Sequence, residues 1–389
     1  LEVTGVQTCA LPISRPSPVA VPADEQHWID TVTTLAAGFA ETVADDDAAA
    51  RLPIEHLRAL ADSGLDAAFL PVSHGGQGLS YATLGHIVRI LARAHPAVAT
   101  VWLMHVGAAH ALVTTSPDAA AAYFADELRA GKRFANALSE PAGGNHFLTS
   151  QQDAVARDGG WSLTGRKLFV SGSEAADHLF LNARVEGGPA FFGVTIDDTV
   201  SFPPIDETMG MRATRSRTIV FDGTPLPAAR RCGPPSPDYA NLITVGFAFI
   251  SLGIAESALD ELTASARRAK GGSVLADQQW VKHETGMAWA QVTAALLMAE
   301  RTAWLADEKN PEAMAAASET KMLANEVAKS TAALALRVGG GGAYLVRSPI
   351  QRLVRDAQAG ALMARRCWHP DPDTATAGDR CRRVRVALP

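Results

Sequence analysis

Two histidines on one apolar stretch are the first residues in this chain able to move a proton. The segment WLMHVGAAHAL, residues 102–112, carries His105 and His110 five positions apart in an otherwise apolar run. Histidine titrates near neutral pH, so either ring can act as acid, base or hydrogen-bonding anchor; a neutral histidine packed into a helical core is the competing account. The cluster Arg267, Arg268 and Lys270 can grip a phosphate, because a guanidinium meets phosphate oxygens through two parallel N–H bonds, or it can be the solvated end of a helix. Gly340 and Gly341 either let backbone approach a ligand closely or close a helix. The acidic run DDD at 45–47 fits a solvated helix face, and His146, Trp161, His178 and Trp280 fit packing or surface better than chemistry. No zinc, iron or P-loop pattern occurs. Cys9, Cys232, Cys367 and Cys381 lack metal-ligand spacing and make no disulfide framework for a chain of 389 residues.

The elements that must position such groups need a large core, and the composition allows one. The chain is 47% hydrophobic and 20% charged with a net charge of -6, and its length suits two or three domains. Nothing in the charge pattern points to nucleic acid. The longest apolar run, 242–255, is interrupted by Thr244, Gly246, Ser251 and Gly253 and closed by Glu256. It falls short of the roughly 20 residues a bilayer-spanning helix needs and reads as a buried core helix, so no membrane span is expected. Cysteine usage points to a reducing cytoplasm.

Both ends look foreign. Residues 1–14 (LEVTGVQTCALPIS) hold no Lys or Arg, lack the charged start of a secretory signal, and look like a translated sequencing adapter. Past Ala364 the text RRCWHPDPDTATAGDRCRRVRVALP loses helical periodicity, through a reading-frame slip or a natural tail at 365–389.

Between the ends the texture changes twice. Residues 24–132 read as helices around a glycine- and proline-rich loop at 71–80, PVSHGGQGLS. Residues 133–233 read as short strands, at 161–170, 178–185, 190–196 and 217–221, with Asp222-Gly223 as a turn. This spacing indicates a small antiparallel sheet or barrel. Residues 236–364 read as helices at 239–269, 277–307, 311–338 and 349–364, a four-helix bundle; in the last, Ile350, Leu353, Val354 and Ala357 make one apolar stripe. The fold class is therefore α+β and mostly α, with the helices and strands segregated.

Five strings in this order resemble the acyl-CoA dehydrogenase superfamily over about 24–364: FANALSEPAGGN at 134–145, WSLTGRKLFVSGS at 161–173, MGMRATRSRTIVFDGTPLPAARRCG at 209–233, the helix start at 252–260, and GGGAYLVRSPIQRLVRD at 340–356. The resemblance implies an FAD-dependent oxidoreductase that clamps its cofactor between a central β-domain and flanking helices. It implies that Ser139 and Ser171 meet the flavin and Phe169 covers its ring, with Leu138, Gly144 and Val170 beside them. Arg268 and Gln279 would reach the cofactor of a neighbouring subunit, and Gly340 and Gly341 its adenosine half, in a homotetramer or homodimer. The family's Gln ahead of the glycine pair is Arg337 here.

The resemblance implies an acyl-CoA substrate, yet the two positions where the family carries its proton-abstracting Glu are Ile243 and Ala364. A monooxygenase branch of the superfamily lacks that Glu, takes reduced flavin (FAD or FMN) and O2 to aromatic or sulfur compounds, and often has a His where His105 lies. RDAQAGA at 355–361 reads more like that branch. A non-catalytic flavin-binding relative is the third expectation.

Overall fold

The structure, a computed structural model, describes residues 20–141, 150–204, 207–270 and 273–363. Helices come first: α1 (Gln26–Ala49), α2 (Ile54–Asp62), α3 (Leu65–Ala68), α4 (Tyr81–Ala94), α5 (Pro96–Thr115) and α6 (Asp118–Arg129). Strands follow: β1 (Phe134–Ala137), β2 (Ala154–Arg157), β3 (Gly160–Val170), β4 (His178–Val185), β5 (Gly188–Thr195), β6 (Val200–Ser201), β7 (Arg217–Pro227) and β8 (Arg231–Cys232). Helices return as α7 (Pro237–Ala266), α8 (Gln279–Asp307), α9 (Ala313–Ala343) and α10 (Pro349–Leu362).

Helices α4, α5 and α10 start where a side chain satisfies free N–H groups of the first turn. Ser80 Oγ accepts from Thr83 N at the head of α4, while Asp307, the last residue of α8, accepts from Tyr81 N at 2.7 Å and Ala82 N at 3.2 Å. His95 caps α5 and Ser348 caps α10, each followed by proline. Helix α5 and the middle of α7, residues 242–255, are apolar on nearly every side, which marks helices enclosed by protein. Segments Pro96–Thr115 and Leu242–Ala266 are long and apolar enough to cross a bilayer by length and composition, and both lie mostly buried within the fold. The second outruns the apolar stretch expected at 242–255, because past Glu256 the residues Ala258, Leu259, Leu262 and Ala266 continue the buried face. Helix α7 packs against α4, α5, α8, α9 and α10, so the bundle forms around it.

Strands β1 to β8 make two sheets, ordered β1-β4-β5-β8 and β2-β3-β7-β6, and Ala269–Lys270 pairs with Ser273–Val274 as a separate antiparallel ribbon. One parallel pair departs from the antiparallel pattern: β1 runs beside β4, with Phe134 opposite His178. The chain leaves β1, builds β2 and β3 in the other sheet, then returns to β4, and such a crossover aligns the two strands. Alternation gives the first sheet two working faces. Ala135, Ala137, Leu179 and Leu181 fill the space between the sheets, whereas Phe134, Phe180 and Phe191 join the helical core. Asp222-Gly223 does not turn the chain. Strand β7 continues through both residues, and Gly223, at φ +65°, takes up an irregularity opposite Leu163 and Gly165.

A buried ion pair pins the sheets together. Lys167, fully enclosed, donates to Glu140 Oε1 at 2.5 Å and to Asn182 O and Oδ1 at 2.7 and 2.6 Å. Glu140 also accepts from Ser150 Oγ and, at 2.6 Å, from Gln151 N. Burial pulls the Lys167 ammonium down to about 8 against the raising influence of Glu140. Burial pushes the Glu140 carboxyl the other way, and the hydrogen bonds from Lys167, Ser150 and Gln151 outweigh it, holding the carboxyl low. Replacing Lys167 with Met strands a buried carboxylate and should cost about 3–5 kcal/mol. Urea denaturation checks this: the midpoint should fall, and adding Glu140→Leu should recover part of the loss. A Lys167→Met chain as stable as the parent would refute it.

Candidate functional site

The edge where β3 ends departs most from regular geometry. Pairing between β3 and β7 slips between Lys167 and Val170, and Leu168 N turns away to Ser139 O at 2.9 Å. The residue left over is Phe169, at φ +54° and 68% exposed. A bulky side chain is rarely found in the left-handed region, and holding it there costs of order 1–3 kcal/mol unless the surroundings fix it. Here they do. Lys167 is locked on one side, Val170 is buried on the other, and Gly172, at φ +69°, donates to Thr214 O at 2.9 Å.

Two more non-glycine residues with positive φ, Met211 (+53°) and Arg215 (+47°), belong to the loop that supports this edge. Buried Asp356 of α10 accepts from Met211 N at 2.6 Å, and Gly210 lies so close that a Cβ there would sit 2.3 Å from Arg355 O. Burial raises the Asp356 carboxyl to about 6, against the lowering influence of the Met211 N–H. Arg355 in turn holds Asp47 of α1 at 2.5 Å and Met209 O at 2.8 Å. Arg215 and Arg217 both bind Glu174. The loop thus places Thr214 and Ser216 behind Ser171: Ser171 Oγ lies 2.8 Å from Ser216 Oγ, and Ser216 Oγ 2.8 Å from Thr214 Oγ1.

The structure brings together Leu138, Ser139, Phe169, Val170 and Ser171; Leu138 is buried beside Ser139, whose main chain bridges to Leu168. Gly144 and Ala364 lie outside the described residues. Arg268, Gln279, Gly340 and Gly341 are exposed at the ends of α7, α8 and α9. Gly340 kinks α9 with φ +61° and ψ −151°, a conformation open essentially to glycine. Arg337 is held by α8, 3.4 Å from Glu284 and with its guanidinium over the Trp280 ring.

His105 lies elsewhere. It is 1% exposed, with Nε2 2.9 Å from Asp66 Oδ2 and Nδ1 accepting from Phe134 N at 2.9 Å. Those partners require a neutral ring protonated at Nε2, and burial, followed by the Arg133 charge, holds its pKa below the usual value. Both nitrogens are committed, so the expected proton donor is a tie between α5, α3 and β1. Asp66 also accepts from Trp102 Nε1 and Arg133 Nη1 at 2.8 and 2.9 Å. Burial opposes its ionisation, yet His105 and Arg133 hold its carboxyl at about 2.

Among the buried side-chain nitrogens and oxygens of the described residues, the one imidazole atom without a partner is His110 Nδ1. Burial brings it to about 4. It lines a cavity of about 570 Å³ with Tyr81, Leu84, Asp238, Leu242 and Trp304. Tyr81 donates to Asp238 O at 3.0 Å. Ile243 is buried against Gly107, where a Cβ would lie 2.5 Å from Ile243 Cδ1. Reading the sequence residue by residue missed Thr214, Ser216 and Asp356. Thr214 closes a short 3-10 turn and Arg215 is left-handed, so no strand-like alternation pairs Thr214 with Ser216.

Three family models match the chain in order: acyl-CoA dehydrogenase N-terminal domain over residues 22–132, middle domain over 135–224, and C-terminal domain over 244–364. The chain belongs to the acyl-CoA dehydrogenase family and is a flavin-dependent oxidoreductase of that fold. It is 28% identical over 342 residues to 3-sulfinopropanoyl-CoA desulfinase of Paraburkholderia xenovorans, covering 82% of this chain and 86% of that one. Butyryl-CoA dehydrogenase from Megasphaera elsdenii superposes with a TM-score of 0.81 at 23% identity, over 87% of this chain and 93% of that one. FMN-bound TdsC from Paenibacillus sp. A11-2 gives 0.77 at 23%, over 86% and 93%. Both structures show the fold.

The buried histidines set a pH dependence. His95, His105, His110 and His178 all have pKa values lowered mainly by burial. The unfolded chain therefore binds more protons than the folded one once pH drops below about 6.5, and stability falls with acidification. Asp356, raised to about 6 by burial, and Asp307, also raised by burial, oppose this in the carboxylate range, two carboxyls against these four rings and the likewise lowered His56 and His86. Unfolding free energy measured by urea should be full above pH 7 and several kcal/mol lower at pH 5. A flat profile would show that these rings are charged in the fold.

Proposed function

We propose that this chain is an FAD-dependent oxidoreductase acting on CH–CH groups of acyl thioesters. The observation that carries the reading is the β3 edge, where the fold holds Phe169 outward beside the hydroxyls of Ser139 and Ser171. An aromatic face next to hydroxyls is a set of partners a flavin ring asks for, and bound flavin supplies two-electron redox chemistry. On this reading Phe169 covers the ring, Ser139 and Ser171 meet its polar edge, and Leu138 and Val170 exclude water. His105 is a positioning residue, holding β1 against α5 and α3.

Arg268, Gln279, Gly340 and Gly341 serve a cofactor held by a neighbouring copy. Their exposure supports that role, as do the exposed apolar side chains of Trp280, Met287, Tyr344 and Val346 on the same helices and the loop that follows them; contiguous exposed apolar surface commonly marks an interface. A homotetramer or homodimer follows. Cysteine usage supports a cytoplasmic setting.

One observation favours a second reading. Ile243 fills a position where the resemblance implies a carboxylate, which suits a monooxygenase of this fold using O2, reduced FAD or FMN, and an aromatic or sulfur substrate.

Anaerobic titration of the purified flavoprotein with acyl-CoA thioesters tests the first reading. Bleaching of the oxidised flavin band is expected; no bleaching, with rapid O2-dependent reoxidation of chemically reduced flavin, would replace it with the second. If thioesters bleach the flavin, Asp238→Asn is the next variant, since Asp238 brings a carboxylate to the cavity beside His110. Arg268→Ala should lower the flavin content of the purified protein at least twofold at unchanged folding, and equal content would remove Arg268 from the cofactor site.

A further inference from the structure

The hydroxyls behind Ser171 form a chain whose direction is fixed at one end. Thr214 Oγ1 lies 2.8 Å from Met211 O, and a carbonyl oxygen can only accept, so Thr214 spends its single proton there. Ser216 Oγ, 2.8 Å from Thr214 Oγ1, must then be the donor in that pair. Its proton is used in turn, so in the 2.8 Å contact between Ser171 and Ser216 the donor is Ser171. Ser171 is left with lone pairs and no proton to offer.

The start of the chain cannot easily reverse. Met211 is buried at positive φ, its N–H is taken by Asp356 at 2.6 Å, and Thr214 O accepts from Gly172 N at 2.9 Å. Both the carbonyl that orients Thr214 and the backbone beside Ser171 are therefore held from two sides.

We infer that Ser171 offers a bound cofactor a hydrogen-bond acceptor only, so that the site discriminates between redox states of its cofactor and favours reduced flavin over oxidised. This rests on the reading above in which Ser171 meets the polar edge of the ring. The flavin atom whose hydrogen-bonding sense inverts is N5: oxidised, it presents a lone pair; two electrons and two protons, one placed on N5, make it an N–H. An acceptor-only hydroxyl complements the N–H and repels the lone pair. The consequence is a bound flavin easier to reduce than it would be beside a freely rotating serine.

The test is the midpoint potential of the bound flavin, measured by equilibration with a reference dye in the purified flavoprotein. Ser216→Ala and, separately, Thr214→Val release the proton of Ser171, which can then donate to oxidised N5. Each should reduce the ratio of reduced to oxidised flavin affinity roughly tenfold, the worth of about one hydrogen bond, which is about 30 mV lower for a two-electron couple. Ser216→Ala should have no further effect once Ser171 is already Ala, because its influence runs through that hydroxyl. A shift with Ser171→Ala but none with Ser216→Ala or Thr214→Val overturns the fixed polarity and leaves the cofactor reading standing. No shift with any of the three overturns the placement of Ser171 against the flavin as well.

Discussion

The ammonium of Lys167 is the contact on which the candidate site depends. It draws Glu140, at the turn that leaves β1, and Asn182 of β4 onto one buried point of β3. Both sheets meet there, within two residues of the place where β3 loses its pairing with β7. Burying a charge is costly unless it is paired and fully hydrogen-bonded, and this one has three oxygen partners. The turn carrying Ser139 and the bulge carrying Phe169 are thereby fixed relative to each other before any cofactor arrives. Preorganisation of this kind lets a strained residue stand outward in solvent without collapsing onto the sheet.

A second buried polar centre does comparable work between domains. Asp66 gathers Trp102 and His105 from α5 and Arg133 from the entry to β1, and His105 passes the connection on to the Phe134 amide. The helical layer and the first sheet are joined by directional bonds as well as by apolar packing. Together the two centres set the orientation of β1, whose far end is the Ser139 turn.

The order of helices, strands and helices was legible because the hydrophobic period changes sharply near Phe134 and again near Pro237, and because proline and glycine punctuate the bundle. What the sequence concealed depends on pairing at a distance. Asp222-Gly223 has the composition of a turn, and only its register against Thr164 and Gly165 makes it a bulge. His105 and His110 look alike on paper; Asp66, some forty residues upstream, decides that one is saturated and the other open. Ser139, Phe169 and Ser171 were found by resemblance to a family pattern. Thr214, Ser216 and Asp356 stayed hidden because their meaning lies in the hydroxyl chain they complete and the loop they hold.

The nearly all-round apolar character of α5 and of the middle of α7 bears on how this chain is made. Helix α5 is enclosed by α7, yet about 120 residues separate the end of one from the start of the other. At roughly 5–20 residues per second of synthesis, α5 waits on the order of 6–25 seconds for its partner, and the β-domain emerges in between. During that interval the nascent chain can cover α5 with α4, α6 and β1, but not on the side that α7 will take. A chain that stops short of α7 therefore keeps one apolar side of α5 uncovered.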